Sequence, residues 1–216
     1  MKKLCVFDLD GTLTNTLENL AYVTNEALDT IGAAHLEPEL FKYFAGNGSK
    51  KLIERAMEYD KCDMSKFDLV YNTYMDKFKT EYCYLVKPYD GIVDTIKELK
   101  KKNIKLAVYS NKPHQMAVSV VEQVFGKGTF DLIIGQRDGY NTKPDPCGVY
   151  EAMEMFNVKE KDVLYMGDTN VDVETGHNAN VFVIGVLWGF RPKEELEEAG
   201  ADVIIDYPEE ILNYLD

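Results

Sequence analysis

Two hydrophobic patterns alternate along most of this chain. After residue 90, short apolar runs typical of buried strands are separated by longer segments in which apolar residues recur every three or four positions, as on one face of a helix. The predicted strands are 104–109, 130–134, 163–166, 181–186 and 203–205, and the predicted helices are about 90–102, 114–125, 146–156, 171–178, 193–199 and 208–215. Repeated strand–helix alternation predicts a parallel sheet with helices on both faces.

The segment 16–83 breaks this alternation. It carries helical periodicities and no convincing strand, although one further predicted strand, 4–7, precedes it. A helical block between the first strand and the rest of an α/β chain indicates an inserted domain. We therefore predict a Rossmann-like α/β core formed by 1–14 and 85–216, with an inserted α-helical cap at 15–84.

The net charge of this chain of 216 residues is −13. Such an acidic protein is poorly suited to nucleic acid, which requires clustered Lys and Arg, or to an anionic membrane surface. The four apolar residues before Asp8 are too few for a signal peptide, no stretch is long enough to span a bilayer, and the four cysteines form no C-x-x-C pair. We expect a cytoplasmic monomer or homodimer whose partner is a small molecule, with no nucleic acid and no membrane.

Two carboxylates end the first predicted strand. Asp8 and Asp10 are separated by one leucine, so an extended chain would point both side chains to the same side. Gly11 then permits a turn and Thr12 adds a hydroxyl. Buried carboxylates require compensation, which Mg²⁺ supplies in sites built from a few carboxylates and phosphate oxygens. The alternative is a simple acidic turn, because Asp-Gly is a common turn pair.

Polar residues also follow three later strands. Ser110 and Asn111 follow strand 104–109, Lys143 comes after strand 130–134, and Asp168 and Asp172 follow strand 163–166. Each position has a structural alternative, as a helix cap or as a solvated lysine. Ligands bind outside the carboxyl ends of strands in open α/β sheets, so the clusters together favour one shared site.

In chain order, these clusters resemble the four motifs of the haloacid dehalogenase superfamily of phosphatases. The matching residues are Asp8-Leu9-Asp10-Gly11-Thr12 in the first motif, Ser110-Asn111 in the second, Lys143-Pro144 in the third, and Gly167-Asp168 with Asp172 in the fourth. The resemblance covers the whole chain, and the helical block resembles the small α-helical cap that this superfamily carries between its first and second motifs.

The resemblance implies phosphoryl transfer through a covalent intermediate. Asp8 would be the nucleophile that forms an aspartyl phosphate, and Asp10 would protonate the leaving alcohol and then activate water. Ser110 and Lys143 would neutralise the phosphoryl oxygens.

The same resemblance implies one Mg²⁺ cofactor. It would be held by the Asp8 carboxylate, the Asp10 main-chain carbonyl and Asp168. Four further residues would support the site: Asp172, Asn111, Gly11 and Thr12.

A finer similarity is to the phosphoglycolate phosphatase-like branch. It is carried by the segments Gly46-Asn47-Gly48, Gly135-Gln136-Arg137, Lys143-Pro144-Asp145-Pro146 and Trp188-Gly189-Phe190-Arg191. It implies a small phosphorylated metabolite as substrate, whose far end would meet cap residues. The candidates are Asn47, Ser49, Lys50 and Arg55, although lysines and arginines of a cap helix are more often solvated.

Other functions stay open. Inorganic pyrophosphatases and sugar phosphatases share much of the pattern. A β-phosphoglucomutase is less favoured, because those relatives usually carry a histidine about ten residues after the acid–base aspartate and this chain does not. A non-catalytic phosphate-binding regulatory protein would be expected to lack Asp8, Asp10 or Lys143, and all three are present.

Overall fold

The computed structural model describes all 216 residues, which form two compact units. Residues 1–15 and 87–216 form one unit, called the core unit below, and residues 16–86 form the other, called the helical insert. The strands are β1 (Leu4–Phe7), β2 (Thr14–Asn15), β3 (Lys87–Pro88), β4 (Lys105–Pro113), β5 (Leu132–Gln136), β6 (Val163–Gly167), β7 (Phe182–Val186) and β8 (Val203–Ile205). The helices are α1 (Leu17–Leu28), α2 (Phe41–Phe44), α3 (Ser49–Tyr59), α4 (Phe67–Glu81), α5 (Ile92–Lys101), α6 (His114–Phe125), α7 (Cys147–Phe156), α8 (Asn170–Asn178) and α9 (Lys193–Glu198).

The core unit is built on a six-stranded parallel sheet in the order β5-β4-β1-β6-β7-β8. One set of alternate strand residues, which includes Val6 and Tyr165, packs against residues of α7, α8 and α9. The intervening residues, such as Phe7 and Leu106, are equally buried, so both faces of the sheet are covered. The predicted Rossmann-like α/β fold is confirmed.

Two elements differ from the sequence-based expectations. The segment predicted as a helix at 208–215 is a 3-10 helix, Pro208–Tyr214, in which only Pro208 and Ile211 are buried. A spacing of three residues matches the three-residue turn of that helix. The second difference is a short antiparallel pair, in which Thr14 of β2 lies opposite Pro88 of β3. Two-residue strands are too short to produce a hydrophobic alternation that sequence inspection could detect.

Strand β4 also continues beyond its predicted end at 109. Its register against β5 shifts between Tyr109, opposite Ile134, and Pro113, opposite Gln136. Four steps along β4 therefore match two steps along β5, and the irregular segment holds Ser110, Asn111 and Lys112. This irregularity places three consecutive polar residues at the carboxyl end of a buried strand.

The helical insert has an apolar interior of its own. Tyr74 and Phe78 of α4 stack with ring centroids 5.2 Å apart, and both side chains are buried. Ile53 and Met57 of α3 are fully buried as well. No helix in the structure is both long enough and apolar enough to cross a lipid bilayer.

Close packing of α7 against β4 generates a first testable prediction. A Cβ atom at Gly148 would overlap the ring of Tyr109, which is buried and held by a hydrogen bond from its hydroxyl to the Asp145 carbonyl at 2.8 Å. We expect Gly148→Ala to lower the free energy of unfolding by about 1–3 kcal/mol, as overpacking does. Urea unfolding would measure this, with the exposed Glu154→Ala on the same helix as the control. A change no larger than the control's would contradict the packing argument.

Candidate active site

The candidate site lies at the carboxyl ends of adjacent strands. Strand β1 lies between β4 and β6. Asp8 directly follows β1 and Asp168 directly follows β6, while the polar segment of β4 lies on the other side of β1. The Asp8 N–H still donates to the Met166 carbonyl at 2.9 Å, so backbone pairing extends to the first acid. This is the edge of an open α/β sheet at which ligands bind.

Lys143 is the residue that joins the acids together. Its Nζ lies 2.5 Å from Asp8 Oδ1 and 2.6 Å from Asp172 Oδ1. Lys143 is 5% exposed, which excludes the alternative of a solvated loop lysine. Burial alone would lower its pKa, but the Asp172 and Asp8 carboxylates outweigh burial and hold that pKa well above its ordinary value. The ammonium therefore remains charged beside Asp8.

Asn111 positions the backbone of Lys143. The Lys143 N–H donates to Asn111 Oδ1 at 2.7 Å, although the two residues are 32 positions apart. The predicted second and third motifs are thereby brought together. The side-chain amide therefore positions the Lys143 backbone and does not cap α6, whose N-cap is Pro113 and which has no side-chain cap hydrogen bond.

Asp172 has both carboxylate oxygens engaged. Oδ1 accepts from Lys143 and from the Tyr165 hydroxyl at 3.2 Å, and Oδ2 accepts from the Thr169 hydroxyl at 2.7 Å and the Thr169 N–H at 3.1 Å. Thr169 is also the N-cap of α8 and forms a capping box with Asp172, so the capping alternative holds, and the supporting role of Asp172 in the site stays a prediction. A Cβ at Gly167 would overlap Asp172, so the strand must end in glycine there.

Asp168 is held by a loop that the sequence analysis did not connect with the site. The Thr12 hydroxyl donates to Oδ1 at 3.0 Å, and the Phe190 N–H donates to Oδ2 at 2.8 Å. The Trp188 Nε1 donates to the Thr12 carbonyl at 2.9 Å, and a Cβ at Gly189 would overlap the Asp168 side chain. The sequence signal for this loop is Gly189 between two aromatic residues, within the segment Trp188-Gly189-Phe190-Arg191 that carries the family similarity.

The turn after Asp8 depends on Gly11. Its φ of +101° is a conformation that other residues rarely adopt, and a Cβ there would overlap the Asp168 carboxylate. The Gly11 N–H donates to the Thr14 carbonyl at 2.9 Å, and the Thr14 hydroxyl donates to the Leu9 carbonyl at 3.1 Å. Gly11 and Thr12 therefore lie where the sequence analysis expected supporting residues.

Three buried carboxylates approach one another. Asp8, Asp168 and Asp172 each offer an oxygen atom, and these atoms all lie within 4.8 Å of one another. Burial, reinforced by the neighbouring carboxylates, raises the pKa of Asp8 well above its ordinary range despite Lys143. Burial and Asp172 raise the pKa of Asp168 to about 7. A cluster made only of oxygen donors suits a hard divalent cation such as Mg²⁺.

Asp10 is paired separately, with a lysine to which the sequence analysis gave no role at this acid. Lys112 Nζ lies 3.0 Å from Asp10 Oδ1 and 3.2 Å from Oδ2. The Lys112 side chain is 3% exposed and that of Asp10 is 22% exposed. When all four carboxylates are ionised, Asp10 and the three clustered acids carry two more charges than Lys112 and Lys143 neutralise. The residues present therefore fit a divalent cation.

Ser110 lies in the same buried segment as Lys112. It is 3% exposed, and its hydroxyl accepts a hydrogen bond from the Lys112 N–H at 3.2 Å. Its expected contact with a phosphoryl group stays a prediction.

The candidate residues of the helical insert form a local cluster. Arg55 donates to the Phe44 carbonyl at 3.1 Å and to Asn47 Oδ1 at 2.8 Å. Ser49 begins α3, and Lys50 lines a groove that also contains Asn47. Arg55 therefore organises the loop that carries Asn47, and a direct role of these residues with substrate stays a prediction.

Comparison with known proteins finds similarity over almost the whole chain. The sequence matches the profile of the haloacid dehalogenase-like hydrolases over residues 5–186. It is 30% identical to a phosphoglycolate phosphatase of Haemophilus influenzae, over 99% of this chain and 98% of that protein. A crystal structure of a proposed phosphoglycolate phosphatase from Lactobacillus delbrueckii has a TM-score of 0.94 at 30% identity, covering 100% of this chain and 99% of that one. A proposed β-phosphoglucomutase from Thermotoga maritima has a TM-score of 0.77 at 25% identity, covering 99% and 98%.

The raised pKa of Asp168 generates a prediction about pH and cations. Burial and Asp172 raise the pKa of Asp168 in the fold to about 7, whereas an aspartate in an unfolded chain has a pKa of about 3.9. The folded protein thus keeps a proton that the unfolded chain loses. The retained proton contributes to the free energy of unfolding. This contribution is fully present below about pH 4 and is lost as the pH rises through about 7. We expect millimolar magnesium to raise the melting temperature more at about pH 8 than at about pH 5.5, because protons and cations compete for the cluster.

Thermal unfolding with and without magnesium at the two pH values would measure this difference. Asp168→Asn removes the titrating group and should reduce the dependence on pH. Equal stabilisation at both pH values in the unaltered protein would contradict the assignment of the cluster.

Proposed function

Since the chain belongs to the haloacid dehalogenase-like hydrolase family, we propose that it is a magnesium-dependent phosphatase that cleaves a small phosphate monoester through an aspartyl phosphate. The observation that carries the proposal is the buried contact between Lys143 and Asp8. It pairs a nucleophilic carboxylate with a fixed positive charge at the edge of the sheet where ligands bind.

The nucleophile in this proposal is Asp8. Lys143 contacts Oδ1, and we assign the attack to Oδ2. A bond forms between Oδ2 and phosphorus while the bond from phosphorus to the ester oxygen breaks, with the two oxygens in line. Lys143 lies close enough to Asp8 to neutralise charge on the transferred phosphoryl group, and Ser110 is the proposed second donor.

Asp10 moves the protons. It delivers one to the departing ester oxygen, so that the product leaves as a neutral alcohol. It then takes a proton from a water molecule, whose oxygen attacks the phosphorus of the aspartyl phosphate and releases inorganic phosphate and the Asp8 carboxylate. The Asp10 carboxylate is separate from the three-acid cluster, which suits a group that must gain and lose a proton.

Magnesium would be held by the carboxylates of Asp8 and Asp168 and by the main-chain carbonyl of Asp10. When bound, it would supply positive charge to the phosphoryl oxygens and to the clustered acids. Asp172 supports the site by orienting Lys143.

Phosphoglycolate is the proposed substrate. The support is similarity to proteins of that name, at 30% identity over almost the whole chain. The helical insert is proposed as the cap that selects the part of the substrate beyond the phosphate. Inorganic pyrophosphatase, sugar phosphatase and β-phosphoglucomutase activities are the alternatives. The structural similarity to the proposed β-phosphoglucomutase from Thermotoga maritima supports the last of them.

Removal of the nucleophile tests the reaction. We expect Asp8→Asn to lower turnover of p-nitrophenyl phosphate by about a thousandfold or more, because an amide oxygen cannot form the covalent intermediate. The fold should survive, since the substitution keeps the size of the side chain. Steady-state assays with magnesium and circular dichroism would measure both, with the exposed Asp138→Asn as the matched control. Substantial activity in a homogeneous Asp8→Asn preparation would sink the assignment.

A substrate panel tests the specificity. We expect kcat/KM for phosphoglycolate to exceed that for inorganic pyrophosphate, for hexose phosphates and for a folded phosphoprotein, because of the sequence similarity and the helical insert. Phosphate release from each compound would be measured with magnesium. If pyrophosphate or a hexose phosphate reacts better, or if glucose 1-phosphate is isomerised, the phosphoglycolate assignment is wrong while the family chemistry stands.

A further inference from the structure

We propose that Lys112 is a positioning residue for the leaving-group step, in which its ammonium holds the Asp10 carboxylate in the orientation that directs the proton toward the ester oxygen. This inference rests on the proposed function, because it concerns the acid–base role of Asp10. It adds a residue that none of the four family-like motifs used above contains.

The contact itself constrains the carboxylate. Lys112 Nζ lies within 3.2 Å of both oxygens of Asp10, so rotation of the carboxyl group would weaken one of the two contacts. The ammonium is almost fully buried, where an uncompensated charge would be costly. Asp10 keeps 22% of its side-chain surface exposed, so the carboxylate is bound on one side and accessible on another.

The chemistry of an ammonium group decides where the proton of Asp10 points. A lysine ammonium has three donors and no acceptor, so a protonated Asp10 cannot direct its O–H at Lys112. Lys112 donates best to the carboxyl oxygen that carries no proton, because that oxygen is the stronger acceptor. The O–H is consequently directed away from Lys112.

The backbone around Lys112 is fixed by close packing. Lys112 lies in the irregular segment of β4, and its carbonyl oxygen would be 2.6 Å from a Cβ placed on Gly135 of β5. The His114 Cα would be equally close, so both near atoms belong to the backbone and cannot move as a side chain would. Because Ser110 Oγ accepts the Lys112 N–H, one rigid segment sets the positions of the proposed phosphoryl donor and of the lysine at the acid.

The two buried lysines therefore have different proposed roles. Lys143 contacts Asp8 and Asp172, which are the nucleophile and its support. Lys112 contacts Asp10, which handles protons. Loss of Lys112 should damage protonation of the leaving group and spare the nucleophile. A lysine buried only for structural reasons would affect every substrate alike.

Leaving-group dependence distinguishes these roles. Ethyl phosphate needs a proton on its leaving oxygen, whereas p-nitrophenyl phosphate releases a stable phenolate without one. We expect Lys112→Met to lower kcat/KM for ethyl phosphate by about 10–100-fold and for p-nitrophenyl phosphate by less than about threefold, since kcat/KM reports the steps up to cleavage of the ester bond. Lys112→Arg, which keeps a charged donor, should restore part of the loss.

Lys105→Met is the matched control. Lys105 lies on the same strand but is half-exposed, and it pairs with Asp131 at 2.8 Å. Its replacement should leave the ratio of the two kcat/KM values unchanged. In an Asp10→Asn background, Lys112→Met should also leave the ratio unchanged, because the group that it positions is gone.

Equal losses for the two esters in Lys112→Met would overturn the proposal. If that variant does not fold, Lys112→Gln must raise the ratio of kcat/KM for p-nitrophenyl phosphate to kcat/KM for ethyl phosphate. An unchanged ratio in Lys112→Gln would overturn the proposal as well. Failure of the proposed function looks different: the unaltered protein would hydrolyse neither ester, or Asp8→Asn would stay active.

Discussion

The buried ammonium of Lys143 between Asp8 and Asp172 is the interaction on which the rest of the site depends. It joins the end of β1 to the start of α8 through a residue that lies between β5 and α7. A charge buried this deeply is tolerated only when its partners are fixed and hydrogen-bonded. The surrounding groups meet that condition, because Asn111 holds the lysine backbone and Thr169 holds the far oxygen of Asp172.

The site is left with more negative charge than its lysines neutralise. Close approach of three carboxylates raises the pKa of Asp8 and of Asp168, which means that the fold carries an electrostatic cost at neutral pH when no cation is present. Such electrostatic costs cluster at functional sites, because carboxylates that the protein has already neutralised would bind a cation only weakly. The glycines at 11, 167 and 189 allow the approach, because a side chain at any of them would overlap Asp168 or Asp172.

The fold is shared by proteins with different named activities. The same architecture is found in a proposed phosphoglycolate phosphatase and in a proposed β-phosphoglucomutase. The residues proposed to transfer the phosphoryl group belong to the core unit, whereas the residues proposed to select the substrate belong to the helical insert. In this proposal, reaction class and substrate preference have separate structural origins, because similarity of fold does not fix the residues that contact a substrate.

The sequence by itself determined the alternation of strands and helices, and it placed Asp8, Lys143 and Asp168 near strand ends. These features depend on local periodicity and on chain order, which a sequence displays directly. Chain order also predicted that the polar clusters form one site, because parallel strands bring their carboxyl ends to one edge of the sheet.

Only the tertiary structure decided which polar group meets which. The partner of Asp10 is 102 positions away in the chain, and the backbone donor to Asp168 lies on a loop 22 positions further on. Neither contact leaves a local sequence pattern. The contact of Lys112 with Asp10 depends on the register shift in β4, and the contact of Phe190 with Asp168 depends on the close approach at Gly189. The contacts of Arg55 with the Phe44 carbonyl and with Asn47 likewise became visible only in the fold, and its role with substrate stays a prediction. Hydrophobic periodicity records which face of an element is buried, but the pairing of buried polar groups is set by backbone geometry over long distances.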